Sequence, residues 1–386
     1  MSAVIAIDQL NVLMIRIVTC LYSFFVLNAL SAMADTYPEV LFENSVMRDN
    51  YFYSQVSYSG SSWVENVDGR LPVSDSLYFT PGNALSLTYS NDREGDWQVS
   101  VAYPGDAGYF RPEPNYVLTF KLYVATDTEV QVLPDVALYR GEDVSASVSP
   151  SKYITDFQSN MWINVRIPVR DFRMDGPVGG IRFTQGATGE GIHRIYLDQI
   201  EFLPANPPRV KLSSPAVLSV AKAFERHVDL VWQLPLTPSI RYIKIYRSED
   251  KEHFEPVAIR PIYAQKCTDV VPYTNRTYYY KVAWVDYDYL ESPFSNVLEV
   301  TVHPMDNETF LDVIQAAHLN FFLERAEVNS GMHAVRFNAD DATVSVKETG
   351  LSILAQLVGV HRGFIPRQVM ISRLERVLDF LDKTPR

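Results

Sequence analysis

The chain has 386 residues, of which 47% are hydrophobic and 21% charged, and its formal net charge is -12. This length predicts about two to four domains, and the hydrophobic content lets each of them bury a core. The acidic balance argues against a nucleic-acid partner, because phosphate binding needs a basic patch and the sequence shows none. It suits a soluble extracellular protein whose substrate is neutral.

The N-terminus has the parts of an export signal. A positive start at Met14-Ile15-Arg16 precedes an apolar run from Val18 to Leu30, and Ala32-Met33-Ala34 is a cleavage pattern. The run is short for a stable membrane span, which needs about 20 apolar residues, and a retained anchor is the alternative. We therefore predict a signal peptide over residues 1–34 and a periplasmic, extracellular or cell-surface location.

The use of cysteine favours bacterial export. Cys20 lies inside the apolar run, so Cys267 would be the only thiol after cleavage. An internal disulfide is then excluded, which is unusual for a small eukaryotic secreted module. Large hydrophobic cores would have to stabilise this chain instead.

Residues 37–205 alternate between apolar and polar positions, which is typical of β-strands. The alternating runs, separated by clusters of Gly, Pro, Asn and Asp, are 85–89, 116–124, 162–169, 181–183 and 194–202. Many strands with turn residues between them indicate a sandwich or jelly roll. Trp162 lies in the third of these runs. The order of the runs resembles that of the galactose-binding-like jelly rolls that occur as carbohydrate-binding modules.

A second β-rich segment, residues 208–303, follows a linker at Asn206-Pro207-Pro208, where paired prolines stop strand pairing. This segment resembles a fibronectin type III domain, with Trp232 in its core. The runs that match strands of that domain are 228–232, 242–247, 277–285 and 292–302. A tyrosine near the start of the third of these runs is expected to bond back to the backbone through its hydroxyl.

Past His303-Pro304 the apolar period changes from two residues to 3.6, which predicts helices in residues 306–386. Asp306 or Asn307 is suited to cap the first helix, and Pro366 occupies the favoured first position of the third. The apolar positions expected to face the core are Phe310, Ile314, Ala317 and Phe321, then Leu351, Leu354, Ala355 and Val358, then Met370, Ile371, Leu374, Val377, Leu378 and Leu381.

These helices resemble the start of the bacterial glucoamylase-like family, which contains endo-β-1,2-glucanases. The stretches that carry the resemblance are 310–315, 320–322, 330–332, 348–355, 358–365 and 377–381. The family folds as an (α/α)6 toroid, of which residues 306–386 would be only the beginning. The expected fold class is therefore multidomain: a jelly-roll β-sandwich, a fibronectin type III β-sandwich and an incomplete all-α (α/α)6 toroid.

Glycosidic hydrolysis needs two carboxylates about 5–10 Å apart. The resemblance places them beyond Arg386, so no catalytic residue is assigned and the chain by itself is expected to be inactive. The acids at the start of the predicted toroid are Asp340, Asp341 and Glu348, and we interpret them as solvated surface groups.

Two sets of residues are candidates for sugar binding. Thr349 and Gly350 begin a helix, where the positive end of the dipole and small side chains let a sugar hydroxyl approach, although close helix packing is the alternative. Trp63, Trp97 and Tyr109 lie in loop-like stretches, and exposed aromatic faces stack on sugar rings. A half-buried place in the sandwich is the alternative for these three.

No cofactor is predicted. The histidines of the helical segment share no zinc-binding spacing, and phosphate-binding and dinucleotide-binding motifs are absent from the sequence. A structural calcium ion in the jelly roll is left open, without the spacing of an EF-hand loop. The acids that would hold it are Asp92, Glu94, Asp96 and Asp198.

The sequence thus favours the N-terminal part of an exported glycoside hydrolase that acts on a β-glucan. Its partner would be a polysaccharide or oligosaccharide, with no nucleic acid and no stable membrane span. A non-catalytic glycan-binding or adhesion protein of the cell surface is the alternative, and a structural spacer is a third hypothesis.

Overall fold

The computed structural model describes residues 38–105, 108–126, 128–209, 214–234, 237–324, 326–327, 329–334 and 343–383. The predicted signal peptide, with Cys20, and the acids Asp340 and Asp341 lie outside these residues. Strands dominate the described part of the chain, and α-helices occur only toward its C-terminal end.

The first β-rich region is a two-layer sandwich. Its strands are β1 (Glu39–Phe42), β2 (Ser54–Gly60), β3 (Trp63–Val64), β4 (Val73–Ser74), β5 (Ala84–Ser90), β6 (Gly95–Ala102), β7 (Tyr116–Val124), β8 (Asp135–Arg140), β9 (Asp143–Val144), β10 (Trp162–Pro168), β11 (Gly180–Thr184) and β12 (His193–Pro204). One sheet has the order β10-β7-β12-β5-β3, with β1 beside β12 and β4 beside β5, and the other has the order β2-β6-β11-β8-β9. All the pairings are antiparallel.

Side chains alternate between the two faces of a strand, so each sheet can direct one apolar face inward. The two inward faces share one core, whose largest fully buried members are Phe42, Tyr89, Trp97, Phe120, Phe172, Phe183 and Phe202. A core shared by two stacked sheets is what defines a sandwich.

A second, smaller sandwich follows. Its strands are β13 (Val217–Ala223), β14 (His227–Gln233), β15 (Ile240–Ser248), β16 (Glu255–Pro261), β17 (Lys266–Val270), β18 (Arg276–Asp286) and β19 (Leu298–Val302). They form a sheet β13-β14-β17 and a sheet β16-β15-β18-β19, and the two sheets share a core that contains Trp232, Tyr280 and the free thiol Cys267.

The predicted backbone-bonded tyrosine is confirmed as Tyr278, near the start of β18. Its hydroxyl donates to the carbonyl oxygen of Tyr273 at 2.9 Å, and the ring is fully buried. The predicted run 292–302 is a strand only from Leu298, because Pro293 has no N–H to donate. The backbone N–H groups of Ser292 and Ser295 still bond to β18, at 2.9 Å each.

Three helices follow: α1 (Asn307–Glu324), α2 (Val346–His361) and α3 (Arg367–Lys383), with a small hairpin of β20 (His333–Ala334) and β21 (Val344–Ser345) between the first two. The predicted cap is confirmed, since Asp306 Oδ1 accepts from the backbone N–H of Thr309 at 2.7 Å. Among the described residues, no helix has both the length and the apolar character required to cross a membrane.

The prediction of an (α/α)6 toroid was wrong. The described residues are mostly β-sheet, and their three helices form no ring. The apolar period of a sequence specifies which stretches are helical, but ring closure depends on contacts between many helices, which a local pattern does not contain. The fold class is corrected to two β-sandwiches followed by three helices.

Helix α2 packs on the face opposite to the predicted one. Its buried residues are Thr349, Ser352, Gln356 and Gly359, whereas Leu351, Leu354, Leu357 and Val358 are exposed. Gly359 explains part of this choice, because a Cβ there would stand 2.4 Å from a methyl carbon of Leu319 in α1. The lack of a side chain therefore permits close helix packing on the polar face.

Candidate functional site

The three aromatic residues predicted for sugar stacking occupy different environments. Trp97 is 1% exposed, its ring packs 5.1 Å from that of Tyr89, and its Nε1 donates to Asn91 Oδ1 at 2.7 Å. A ring buried in this way has no free face for a sugar, so Trp97 is removed from the candidates. Trp63 is half-buried on β3, and Tyr109 is 36% exposed with the Arg140 guanidinium 4.7 Å over its ring.

The other two predicted residues lie in α2, and only one of them is accessible. Thr349 is buried, donates its hydroxyl to the carbonyl oxygen of Ser345 at 2.7 Å, and accepts from the backbone N–H of His333 at 3.1 Å. Gly350 is exposed, and a Cβ placed there would meet nothing within 4 Å. The hydroxyl of Thr349 thus holds the β20–β21 hairpin against α2.

Thr349 also lines a cavity of about 20 Å³, together with His333, Ser352, Gln356 and Met370. Gln356 donates to Ser352 Oγ at 2.9 Å, while Gln356 Oε1 and His333 Nδ1 have no hydrogen-bond partner among the described residues. This volume holds about one water molecule, which is the size of guest that two unpaired acceptors would bind. The cavity is too small for a sugar ring.

The acids considered for calcium do not form one site. Asp92 and Glu94 line an open groove at one end of the first sandwich, and Asp96 is exposed on β6. Asp198 is fully buried, where it accepts from the backbone N–H groups of Phe79 at 2.7 Å and Thr80 at 2.8 Å. Within the described ranges, no three His, Cys, Asp or Glu side chains gather closely enough to hold a metal ion.

Three carboxylates with raised pKa values lie at or near the contact between the two sandwiches. Burial raises the pKa of Glu43 to about 7, against the lowering effect of Arg260, which donates to it at 2.9 Å. Burial likewise raises the pKa of Asp198 to about 6, against hydrogen bonds from Thr80 and Phe79, and raises that of Glu201, against the attraction of Arg241.

Aromatic rings and a lysine complete this contact between the sandwiches. The Lys121 ammonium lies 4.2 Å from the ring centre of Phe79 and 4.7 Å from that of Tyr289, which belongs to the second sandwich. Burial lowers the pKa of Lys121 to about 8. The Tyr289 hydroxyl donates to Gln199 Oε1 at 3.1 Å.

Perturbed pKa values are typical of catalytic sites, but structural ion-pair networks produce them too. A general acid must reach the glycosidic oxygen, and an enzyme of this class needs a second carboxylate across the substrate. Glu43 and Glu201 instead bond to arginines of the second sandwich, and Asp198 bonds to the backbone of its own sandwich. We therefore interpret Glu43 and Glu201 as partners of the ion pairs that join the two sandwiches, and Asp198 as a structural carboxylate inside the first.

The chain is similar to known proteins that act on β-1,2-glucan or its oligosaccharides. The chain is 34% identical over 364 residues to an exo-β-1,2-glucooligosaccharide sophorohydrolase (non-reducing end) of Parabacteroides distasonis, over 92% of this chain and 50% of that protein. A crystal structure of a β-1,2-glucanase from Parabacteroides distasonis superposes with a TM-score of 0.69 at 34% identity, over 91% of this chain and 51% of that one. No family model matches the chain.

The chain is a homologue of a β-1,2-glucanase. The predicted relationship to a glycoside hydrolase of β-glucan is confirmed at this level. The chain spans about half the length of these relatives. The jelly-roll and fibronectin type III assignments, the domain boundaries and export stay predictions.

Two features of the described residues were not predicted from the sequence. Asp198 and Glu201 share one face of β12 only because a β-bulge shifts the register between them, with Gln199 at φ 48°. His193 lies at the other end of the same strand, buried at the back of the open groove. The alternating pattern of a strand does not indicate that a histidine within it lines a groove.

Proposed function

We propose that this chain is part of a glycoside hydrolase that acts on β-1,2-linked glucan, and that residues 38–383 bind and position the glycan without cleaving it. The observation that carries the proposal is the 34% identity to the sophorohydrolase over 364 residues. Cleavage would belong to other parts of the protein, as is consistent with a chain that spans about half of its relative.

The chemistry of the described residues supports a binding role. The carboxyl groups with raised pKa values include Glu43 and Asp198, which are held inside the protein by Arg260 and by the backbone of Phe79 and Thr80. A glycosidase acid must instead face the substrate. Neutral glucan also fits the net charge of -12, which disfavours anionic polymers.

The experiment incubates the 386-residue chain with β-1,2-glucooligosaccharides and follows binding by calorimetry and new reducing ends by chromatography. Binding without new reducing ends is the expected result, with β-1,3- and β-1,4-glucooligosaccharides as controls for linkage. Absence of β-1,2 binding contradicts the proposed substrate. Release of shorter sugars by this chain contradicts the assignment of cleavage to other residues.

Export completes the proposal, and it rests on the pattern of residues 1–34. A glycan hydrolase meets polymeric glucan outside the cytoplasm, so a cleaved leader would serve this function. Mass spectrometry of the N-terminus after expression in a bacterial host tests it: a new terminus after Ala34 is expected, and an intact Met1 in the cytoplasmic fraction contradicts it.

The second candidate is a non-catalytic glycan-binding or adhesion protein. The burial of Glu43 and Asp198 favours it, because a protein that only binds glycan needs no carboxyl group that can reach the substrate. The protein expressed with all coding sequence that follows Arg386 separates the two functions. Hydrolysis of β-1,2-glucan by that product supports the enzyme, and binding without hydrolysis supports the adhesion protein.

A further inference from the structure

An open groove of about 980 Å³ lies at one end of the first sandwich, away from the Glu43–Arg260 contact with the second. Four connections form it: the turn between β2 and β3, the turn between β5 and β6, the segment after β7, and the loop between β11 and β12. Its lining includes Asp92, Glu94, Glu129, Gly189, Glu190 and His193. Its volume is in the range of small-ligand sites, which span about 300–1,000 Å³.

His193 is a built part of this groove. Its side chain is 5% exposed, its ring packs 5.4 Å from that of Tyr89, and its Nδ1 is 3.0 Å from Thr128 Oγ1. Its Nε2 is buried and has no hydrogen-bond partner among the described residues. A buried nitrogen without a hydrogen bond destabilises the folded state by about 1–3 kcal/mol. A ligand that supplied this hydrogen bond would remove that cost.

Gly189 lies beside that nitrogen in the lining of the groove. A Cβ at position 189 would stand 3.4 Å from His193 Nε2 and 3.0 Å from both methyl carbons of Val132. Even the smallest side chain would therefore crowd the space beside Nε2. The backbone of Gly189 does not lie in the left-handed region, so turn geometry is not what requires this glycine.

The charges of the groove define the class of ligand. The carboxylates of Asp92, Glu94, Glu129 and Glu190 outnumber the guanidinium of Arg93, which disfavours phosphorylated or uronic ligands. A metal ion is disfavoured as well, because no three potential ligands in the described residues come together. Carboxylates that are not neutralised in pairs are good acceptors for the hydroxyl groups of a neutral sugar.

A hydroxyl also matches His193 in either tautomer. It donates to Nε2 when the proton is on Nδ1, and it accepts from Nε2 in the opposite case. Burial lowers the pKa of His193, which keeps the ring neutral near pH 7.

We propose that this groove binds a neutral β-linked glucooligosaccharide, one hydroxyl of which hydrogen-bonds to His193 Nε2. The inference rests on the proposed function and assigns a binding site to it. It places recognition on the loops at the end of the sandwich rather than on Trp63 or Tyr109.

The test uses the chain with ¹⁵N-labelled histidine, which gives seven imidazole spectra. His193→Phe identifies the signals of His193, and β-1,2-glucooligosaccharide is then titrated at pH 7. We expect the ring nitrogen signals of His193 to move with the occupancy of the sugar while those of His253, exposed in the second sandwich, stay fixed. Movement of the His193 signals with calcium chloride but not with sugar would overturn the glycan assignment in favour of a cation.

Gly189→Ala supplies an independent variant, since it fills the approach to Nε2 and leaves the imidazole in place. We expect about 3–10-fold weaker binding, the loss of one hydrogen bond, in Gly189→Ala and in His193→Phe. His253→Phe is the matched control and should bind like the unmodified chain. Unfolding curves and the other histidine signals report whether each variant is folded.

The outcomes separate the groove from the proposed function. If a folded Gly189→Ala variant binds β-1,2-glucan with unchanged affinity and the His193 signals do not shift on titration, the groove is not the binding site. The proposed substrate would stand in that case. No binding of β-1,2-glucan by the unmodified chain overturns the proposed substrate. Binding of a different neutral glucan that moves the His193 signals keeps the groove and changes only the linkage.

Discussion

Arg241 of β15 reaches from the second sandwich into the first, where its Nε donates to Glu201 Oε1 of β12 at 2.9 Å. The two side chains are 5% and 4% exposed, so the pair is almost dry. Burial by itself lowers the pKa of Arg241, but the attraction of Glu201 raises it above the usual value. The two sandwiches are therefore joined by a charge pair in which each partner depends on the other.

Loss of one partner should destabilise the chain strongly. Glu201→Gln or Arg241→Met leaves a buried charge without its counterion, which costs about 3–5 kcal/mol, whereas removing both charges together costs far less. Urea unfolding measures the difference. The exposed pair Arg209–Asp288, at 3.0 Å, is the matched control, and Asp288→Asn should change stability by less than about 1 kcal/mol. Equal effects at the two pairs would contradict a structural role for Glu201.

Stability should fall as the pH rises from about 5 to about 7.5. The pKa of Glu43 is about 7 in the folded chain, above the usual value of 4.5, so the folded state holds more protons than the unfolded state between these values. Raising the pH through this window then lowers the free energy of unfolding by about 1–3 kcal/mol. Asp198, with a pKa of about 6, acts in the same direction.

His193 opposes this trend. Burial lowers its pKa in the folded state, so the chain loses stability when the pH falls below the pKa of this histidine in the unfolded state. The contribution of Glu43 is therefore isolated by comparing the unmodified chain with Glu43→Gln. Urea midpoints at pH 5.5, 6.5 and 7.5 should show a smaller pH dependence in the variant. The same slope in both proteins would exclude Glu43 as its source.

Trp97→Ala should damage folding rather than sugar binding alone. Removal of a fully buried tryptophan costs about 3–5 kcal/mol, and Asn91 Oδ1 loses its donor as well. Trp63→Ala, at a half-buried position, is the comparison and should cost clearly less. Thermal unfolding measures both, and a Trp97→Ala chain of unchanged stability would place that ring outside the core.

Two glycines of α2 should respond in opposite directions to alanine. Gly350→Ala meets nothing within 4 Å and should stabilise the chain by about 0.5–1 kcal/mol through the higher helix propensity of alanine. Gly359→Ala places its Cβ 2.4 Å from Leu319 and should destabilise it by about 1–3 kcal/mol. Helix unfolding followed by circular dichroism tests both. Weaker glycan binding in a well-folded Gly350→Ala would support Gly350 as a sugar-binding residue.

The sequence located most elements because local pattern suffices for them. The alternating run 194–202 corresponds to β12, and the change to a 3.6-residue period after Pro304 precedes α1. The inward face of α2 was predicted incorrectly, because leucines at helical spacing indicate an apolar face but not what it packs against. Gly359 and Leu319, which are 40 positions apart in the chain, decide that face instead.

By itself, the sequence determined where strands and helices occur, that a tyrosine near the start of β18 bonds back to the backbone, and the relationship to a glycoside hydrolase of β-glucan. Only the tertiary structure decided that Trp97 is buried, that Glu201 pairs with an arginine of the second sandwich, and that His193 lines a groove. The physical reason is that each of these depends on contacts between residues distant in sequence. In β12, for example, a single bulge at Gln199 reverses the alternation of side chains between the two faces of the strand, so the face of each later residue cannot be read from the sequence pattern.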